Sequence, residues 1–402
     1  MKLLKIILKN TKFFSQNFEI SFMTKDRVRK LSSDNTNTMQ AYKIRNGLYT
    51  QILLSLIGLN ATGKTTVLET ISAILKILIE HRSLKDITPL LNKLSSQTES
   101  KQIHWIIYFL NQENNESFIY RLESIITFDK KTQTFIYKDE YLSKKRLKDS
   151  KNINICDLDI TTNQTIDRKK EQNPYLKKDM SIAMSLNECP EKLYPLETTV
   201  NLNVPYWIGQ PSKELIACFD PNVEELSISD NNNSLQNESE VTLKFKNEKN
   251  NYTANRKGLM DLLSSGTIKG LSIIPAIVDA LRHGGYVIID EMENHFNKKI
   301  VEWFLSLFAD KRTNPHGACL IFSTHYPEIL DSFARKDNIY IMRRDTQGKL
   351  ENIRYSDKIN RNELSKSNII LSNVITGTAP RYQDLKLAKN YLSTIIQERK
   401  VE

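Results

Sequence analysis

The chain has 402 residues, enough for two or three lobes with cores of their own, and its 40% hydrophobic and 26% charged residues are those of a globular protein rather than a disordered one. A formal net charge of +10 admits an anionic partner such as nucleic acid without requiring one, because a Lys-, Asn- and Ile-rich composition also follows from AT-rich coding sequence. No stretch approaches the roughly 18 apolar residues of a membrane span. Cys156, Cys189, Cys218 and Cys319 form no CxxC pair, so neither a zinc ribbon nor a disulfide framework is expected, and a reducing cytoplasm is the expected location.

In chain order, residues 1–80 form a first compact block. Leu3–Leu8 and Phe18–Phe22 are predicted strands joined by a turn, and Lys5, Lys9 and Lys12 exclude a signal peptide there. Gln51–Ile57 is a nearly continuous apolar run, as expected of a strand buried on both faces. A glycine-containing loop follows, then a predicted helix over Thr65–Glu80 with Leu68, Ile71, Leu75 and Leu78 at helical spacing. Residues 81–142 carry Gln102–Leu110, Ser117–Phe128 and Thr134–Tyr141, which read as an antiparallel meander. Residues 143–257 are polar, basic and weakly periodic, and a helical insertion is expected from Ser143 to Leu196, with a surface loop over Asp230–Glu238. Residues 258–360 return to strong pattern. Helices are predicted at Thr267–Leu281 and Lys298–Ala309, and strands at Tyr286–Ile289, Ala318–Ser323 and Asn338–Met342. Strands alternating with helices of this length indicate βαβ units and a largely parallel sheet. Residues 361–402 form a C-terminal helical tail, and the segment Ser372–Tyr382 within it reads as a docking or capping element or a plain loop.

The loop Gly58-Leu-Asn-Ala-Thr-Gly-Lys64-Thr65 fits G-x-x-x-x-G-K-[ST] and has the right flanks, a buried strand before and an amphipathic helix after. Gly58 and Gly63 let the backbone curl so that the N–H groups of Asn60, Ala61, Thr62 and their neighbours converge on phosphate. Lys64 would neutralise the β- and γ-phosphate oxygens, the Thr65 hydroxyl would bind Mg²⁺, and Thr66 would reach the α-phosphate. The strand Tyr286–Ile289 ends in Asp290-Glu291. A doubly buried strand delivers its last side chains to the carboxyl edge of the sheet, so Asp290 would complete the Mg²⁺ site and Glu291 would polarise a water for in-line attack. Leu263-Ser264-Ser265-Gly266-Thr267 opens the next helix upstream, a second place where an anion is favoured.

Taken in order, the Walker A loop at Gly58–Thr65, the signature-like Leu263–Thr267, the acid pair Asp290-Glu291 and a lone His325 after the strand Ala318–Ser323 resemble the ABC-type ATPases. The resemblance is closest to the soluble branch that contains RecF, the SMC-type heads and the overcoming-lysogenization-defect (OLD) ATPases. Met1–Phe22, with Asn10-Thr-Lys-Phe-Phe14 between its strands, looks like that branch's opening hairpin. Asp290-Glu-Met-Glu-Asn-His-Phe-Asn297 is similar to its D-E-P-E-x-H-L-H run, and Ser323-Thr-His-Tyr-Pro327 to its S-T-H-x-P switch. The chain departs in having Ser-Ser-Gly-Thr for Ser-Gly-Gly-Gln, Met292 for the usual proline, and Asn297 where His is frequent. No glutamine is assigned to the Q-loop; Gln102 and Gln210 both remain candidates.

The resemblance implies an α/β P-loop NTPase fold: an ABC-type head with a mixed sheet, an antiparallel β subdomain and a helical insertion. It implies ATP and Mg²⁺ as cofactors, with Ser264, Ser265 and Gly266 of one copy capping the γ-phosphate held by another, and His325 sensing that phosphate. Glu293, His295 and Asn297 would face the dimer interface. No Asp-x-Asp follows His325, so the TOPRIM nuclease of OLD proteins is not expected. The expected protein is therefore an ATPase that acts as a homodimer or higher homo-oligomer with a separately encoded nuclease or toxin, in anti-phage defence. The alternative is a RecF-like DNA repair ATPase that clamps DNA through the basic clusters Lys144–Lys151, Arg168–Lys170 and Lys177–Lys178.

Overall fold

Five consecutive buried residues, Leu53–Ile57, form a strand covered on both faces, and its alternation divides the molecule. Leu54 and Leu56 point into one apolar cluster, Leu53 and Ile57 into another. The computed structural model describes residues 1–16, 18–28, 37–95, 102–113, 116–147, 164–170, 176–186, 191–195, 211–229, 240–255, 258–294, 296–359, 364–380 and 382–398.

In chain order the strands begin with β1 (Lys2–Lys9), β2 (Phe18–Ser21), β3 (Tyr42–Arg45), β4 (Leu48–Thr50) and β5 (Leu53–Ile57), followed by α1 (Lys64–Ile79) and α2 (Thr88–Leu94). Three long strands follow, β6 (Ile103–Glu113), β7 (Glu116–Asp129) and β8 (Thr134–Arg146), then the short β9 (Gln164–Asp167) and β10 (Leu193–Pro195). Next come α3 (Lys213–Phe219), β11 (Val223–Ser229), β12 (Glu240–Phe245), β13 (Tyr252–Asn255), α4 (Leu259–Leu262), α5 (Ser265–His283) and β14 (Tyr286–Ile289). The last part holds α6 (Lys298–Ala309), β15 (Cys319–Thr324), β16 (Ile339–Arg344), β17 (Leu350–Arg354), α7 (Tyr355–Lys358), α8 (Lys366–Leu371) and α9 (Tyr382–Glu398).

The central sheet has the order β10-β14-β15-β5-β16-β17. Its first five strands are parallel and β17 returns antiparallel, a mixed sheet as expected. The second sheet, β2-β1-β6-β7-β8-β9, is antiparallel throughout and contains the meander. α1 lies between the two sheets: its Leu68, Ile71, Leu75 and Leu78 share one core with Leu54 and Leu56 of β5 and with Trp105 and Phe109 of β6. α5 and α6 cover the opposite face of the central sheet through Ile277, Leu281, Val301 and Phe304. A third sheet, β11-β12-β13, packs on α3 and the start of α5 around Leu226, Leu243 and Leu271.

The expectation of a helical insertion over 143–196 is corrected. Among the described residues of that span there is no α-helix; β8 runs on to Arg146, β9 extends the antiparallel sheet, a 3-10 turn covers Ile182–Ser185, and β10 joins the central sheet. The physical reason is a carboxylate. Glu140 is fully buried, and burial pushes its carboxyl upward. It accepts Arg168 Nη1 at 2.9 Å, Ser181 Oγ at 2.6 Å and the Ile182 N–H at 2.8 Å. Arg168 here thus follows the needs of one buried acid rather than a helical period. Lys144 pairs with Glu113, and the exposed Lys169 with Asp139. The loop expected at Asp230–Glu238 lies outside the described residues.

The meander carries a second ionic anchor. Glu123 accepts His104 Nε2 at 2.7 Å and Arg121 Nη2 at 2.6 Å, and the His104 bond is the main cause that holds its carboxyl down to about 2. A depressed acid stabilises the fold above the pH of its unfolded form and loses that contribution as pH falls toward the folded value. Glu123→Gln is therefore expected to cost about 2 kcal/mol at neutral pH. The gap to wild type should close as pH falls from about 4.5 to about 2, which urea melts across that range would detect.

Candidate functional site

Between β5 and α1 the chain makes a turn that side chains could not follow. Gly63 has φ +81°, and a Cβ on it would lie 2.2 Å from Leu350 Cδ1; one on Gly58 would lie 2.3 Å from the Met342 carbonyl oxygen. Ala61 is also left-handed at φ +59°. The Thr62 hydroxyl ties the loop to the Leu59 carbonyl at 2.7 Å, and Arg344 Nε at the end of β16 donates to the Ala61 carbonyl at 3.1 Å. α1 then starts at Lys64 with no side-chain cap and no acid in its first turn. Its leading N–H groups and the positive end of its dipole stay available to an anion.

The parallel register brings a distant acid to this loop. β5, β15 and β14 are adjacent and parallel, so their carboxyl ends share one edge. Thr65 Oγ1 donates to Asp290 Oδ2 at 2.6 Å. The Ser323 hydroxyl donates to Asp290 Oδ1 and accepts the Glu291 N–H at 2.7 Å, so one side chain at the end of β15 fixes both acids. Glu291 is left-handed at φ +48°, a strained conformation for a residue with a Cβ. It persists because the flanking backbone is tied on both sides, Met292 N–H to the Ser323 carbonyl at 3.1 Å and Asn294 N–H to the Glu291 carbonyl at 2.9 Å. The Glu291 side chain accepts Asn294 Nδ2 at 2.6 Å and stands 3.5 Å from His325 Nε2.

Lys64 is only 6% exposed. Its Nζ donates to the Gly58 and Leu59 carbonyls at 2.9 and 3.0 Å and lies 3.4 Å from His325 Nδ1. Burial pushes its ammonium downward, and Asp290, Glu291 and Glu293 oppose that shift. Lys269 on α5 is in a similar state, pushed down by burial and opposed by Glu291 and Glu293, with Nζ on the Asn294 carbonyl at 3.2 Å. Thus two buried cations and three carboxylates surround the carboxyl edge of β14.

Of the residues expected from sequence, Lys64, Thr65, Asp290, Glu291 and His325 are brought together, with Asn60 and Ala61 exposed on the loop and Thr66 buried in α1. Ser264, Ser265 and Gly266 are not placed on the phosphate loop of the same chain. Ser264 and Ser265 are exposed at the head of α5, where Ser264 Oγ caps the helix by accepting the Thr267 N–H at 3.1 Å. α5 leads into β14 and covers the face of the central sheet opposite α1, so its head is separate from the helix end that follows the phosphate loop. Gln102 is half-buried just before β6, while Gln210 and His295 lie outside the described residues. Glu293 and Asn297, expected at a dimer interface, both have hydrogen-bond partners within the chain. Glu293 is 7% exposed and accepts the His325 N–H at 2.5 Å, and Asn297 caps α6 through Ile300 N–H at 3.0 Å. Ser323, Asn294, Lys269 and Arg344 were not expected as site residues. Ser323 was within reach of sequence: if β14 and β15 pair in parallel with Ile289 opposite Phe322, the next pair is Asp290 and Ser323.

The oxygen pair of Thr65 and Asp290 fits Mg²⁺, a hard cation that takes one or two protein oxygens and completes its shell with phosphate and water. No group of three or more His, Cys, Asp or Glu able to hold a metal occurs among the described residues. Nor, among them, is any helix long and apolar enough to cross a membrane.

A glycine-turned loop between a buried strand and a helix, meeting an acid from another parallel strand of a mixed sheet, is the architecture of a P-loop nucleotide-binding protein. Residues 219–331 match the family described as "AAA domain, putative AbiEii toxin, Type IV TA system". The matched part, over a quarter of the chain, includes Ser264–Gly266, Asp290, Glu291 and His325, and leaves out Gly58–Thr65. No curated protein matches the chain. Fold and match together support an AAA-type P-loop ATPase, for which nucleotide hydrolysis and usually Mg²⁺ are implied.

Proposed function

We propose that the chain is an ATP-binding and ATP-hydrolysing ABC-type ATPase of the RecF/SMC/OLD-like branch. Two copies would close head-to-tail around ATP and so control a separately encoded nuclease or toxin, in anti-phage defence. The observation that carries the nucleotide site is the 2.6 Å contact of Thr65 with Asp290, which joins two motifs far apart in sequence at one sheet edge. In this reading the loop amides and Lys64 hold the phosphates. Mg²⁺, held by Thr65 and Asp290, would supply charge neutralisation at the β- and γ-phosphates. Glu291 orients the attacking water and takes its proton, while His325, 3.4 Å from Lys64 and 3.5 Å from Glu291, lies where a γ-phosphate would be felt. The exposure of Ser264 and Ser265 supports their service to a second copy. The matched family's description, a putative toxin of a toxin–antitoxin system, supports a setting of that kind. Of the basic clusters that the DNA-clamping alternative would use, Lys144, Arg146, Arg168 and Lys169 face carboxylates of their own chain.

A shared site has a sharp test. Gly266→Asp adds an acid near the amino end of α5, which the helix tolerates but a facing phosphate does not. Gly266→Asp and Lys64→Ala chains should each be inactive alone. Co-expressed, they should regain turnover, because each mixed pair holds one intact loop opposite one intact α5 head. An active Gly266→Asp protein, or a mixture as inert as its parts, would remove the head-to-tail arrangement.

A further inference from the structure

Among the described residues nothing covers α9. Every side chain of α9 from Tyr382 to Ile396 is exposed, yet its sequence is amphipathic: Leu385, Ala388, Leu392 and Ile395 recur at alternating three- and four-residue steps. Leu385 and Leu392 are more than half exposed, and so are Tyr382, Tyr391 and Ile396 on the flanks of that stripe. An apolar stripe of this spacing over two heptads fits the seam of a short coiled coil, and in water such a helix is marginal without a partner.

Its charges say which partner fits. With Leu385 and Leu392 at the a positions and Ala388 and Ile395 at the d positions, Asp384 falls at g and Lys389 at e. In a parallel pair, g of one helix meets e of the other five residues further on, so Asp384 faces the second copy's Lys389 twice by symmetry. An antiparallel pair with the same seam sets Leu385 opposite Ile395 and Ala388 opposite Leu392. That arrangement brings Lys389 onto the symmetry axis against its own copy and leaves Asp384 with no cation. We infer that α9 is a self-association element, pairing in parallel with α9 of a second copy of this chain through Leu385, Ala388, Leu392 and Ile395. This contact needs no nucleotide and is independent of the ATP-closed head contact.

The test is the mass of the full-length Lys64→Ala protein in nucleotide-free buffer, by analytical ultracentrifugation at micromolar concentrations. It should be a dimer. Leu385→Asp/Leu392→Asp in that background should be a monomer that keeps the tryptophan fluorescence of the folded protein, since neither side chain is buried in the chain and no tryptophan lies in α9. Asp384→Lys should weaken the dimer about tenfold, and Asp384→Lys/Lys389→Asp should restore it. Ala388→Cys should give a disulfide-linked dimer on mild oxidation beyond that of the wild-type cysteines, because only the parallel seam places residue 388 against itself. A nucleotide-free monomer, a dimer that survives Leu385→Asp/Leu392→Asp, or no gain in cross-linking at residue 388 would overturn the inference. None of these outcomes bears on whether ATP is bound or hydrolysed.

Discussion

Lys64→Ala is expected to lose nucleotide affinity by two to three orders of magnitude while keeping its fold. The ammonium is buried against the Gly58 and Leu59 carbonyls, and three acids, Asp290, Glu291 and Glu293, act on it electrostatically. Removing one member of a buried charge cluster costs about 3–5 kcal/mol because the remaining charges lose their compensation. Here three of the four remaining charges are negative, Lys269 being the exception, and so is the ligand. The loss therefore falls on binding far more than on folding: without nucleotide the carboxylates still have Thr65, Ser323, Asn294 and the His325 N–H as donors. Titration with a fluorescent ATP analogue would read the change, and a thermal melt would show that the protein remains folded. Micromolar affinity retained by Lys64→Ala would count heavily against this loop as the nucleotide site.

The parts of the molecule legible in the sequence are those fixed by local pattern. β14 and α6 have the predicted bounds because a doubly buried strand and a one-sided helix each leave a periodic signature over their own length. The phosphate loop is legible for a different reason: Gly58 and Gly63 stand where any side chain would collide, so the motif is a steric requirement as much as a chemical one. What failed depended on partners remote in sequence. Arg168 belongs to a buried carboxylate 28 positions away, and no window along 143–196 contains that information. The motif position of Glu293 carries no sign of its burial, which is decided by the switch loop after β15 that comes to it through sheet order. Asn297 had a plain local signature, an Asn ahead of an amphipathic helix, and that capping role proved to be its observed contact.

Glu291→Gln is expected to cut ATP turnover by about 10²- to 10³-fold with nucleotide affinity nearly unchanged. The substitution keeps shape and keeps an oxygen for Asn294 Nδ2, so the left-handed turn at residue 291, anchored by Ser323, has no cause to relax. What disappears is the carboxylate's negative charge, and with it the ability to accept a proton from water. Affinity survives because Lys64, Thr65 and the loop amides, rather than Glu291, are the groups placed to meet phosphate. Asn294→Ala separates orientation from proton transfer: it frees the Glu291 carboxylate from its 2.6 Å restraint without removing it, and a loss of about tenfold or less in kcat is expected. Steady-state phosphate release, with single-turnover measurements to set binding apart from chemistry, would resolve the two effects. Wild-type turnover in Glu291→Gln would assign the proton acceptor elsewhere and leave Glu291 as a structural residue of the turn.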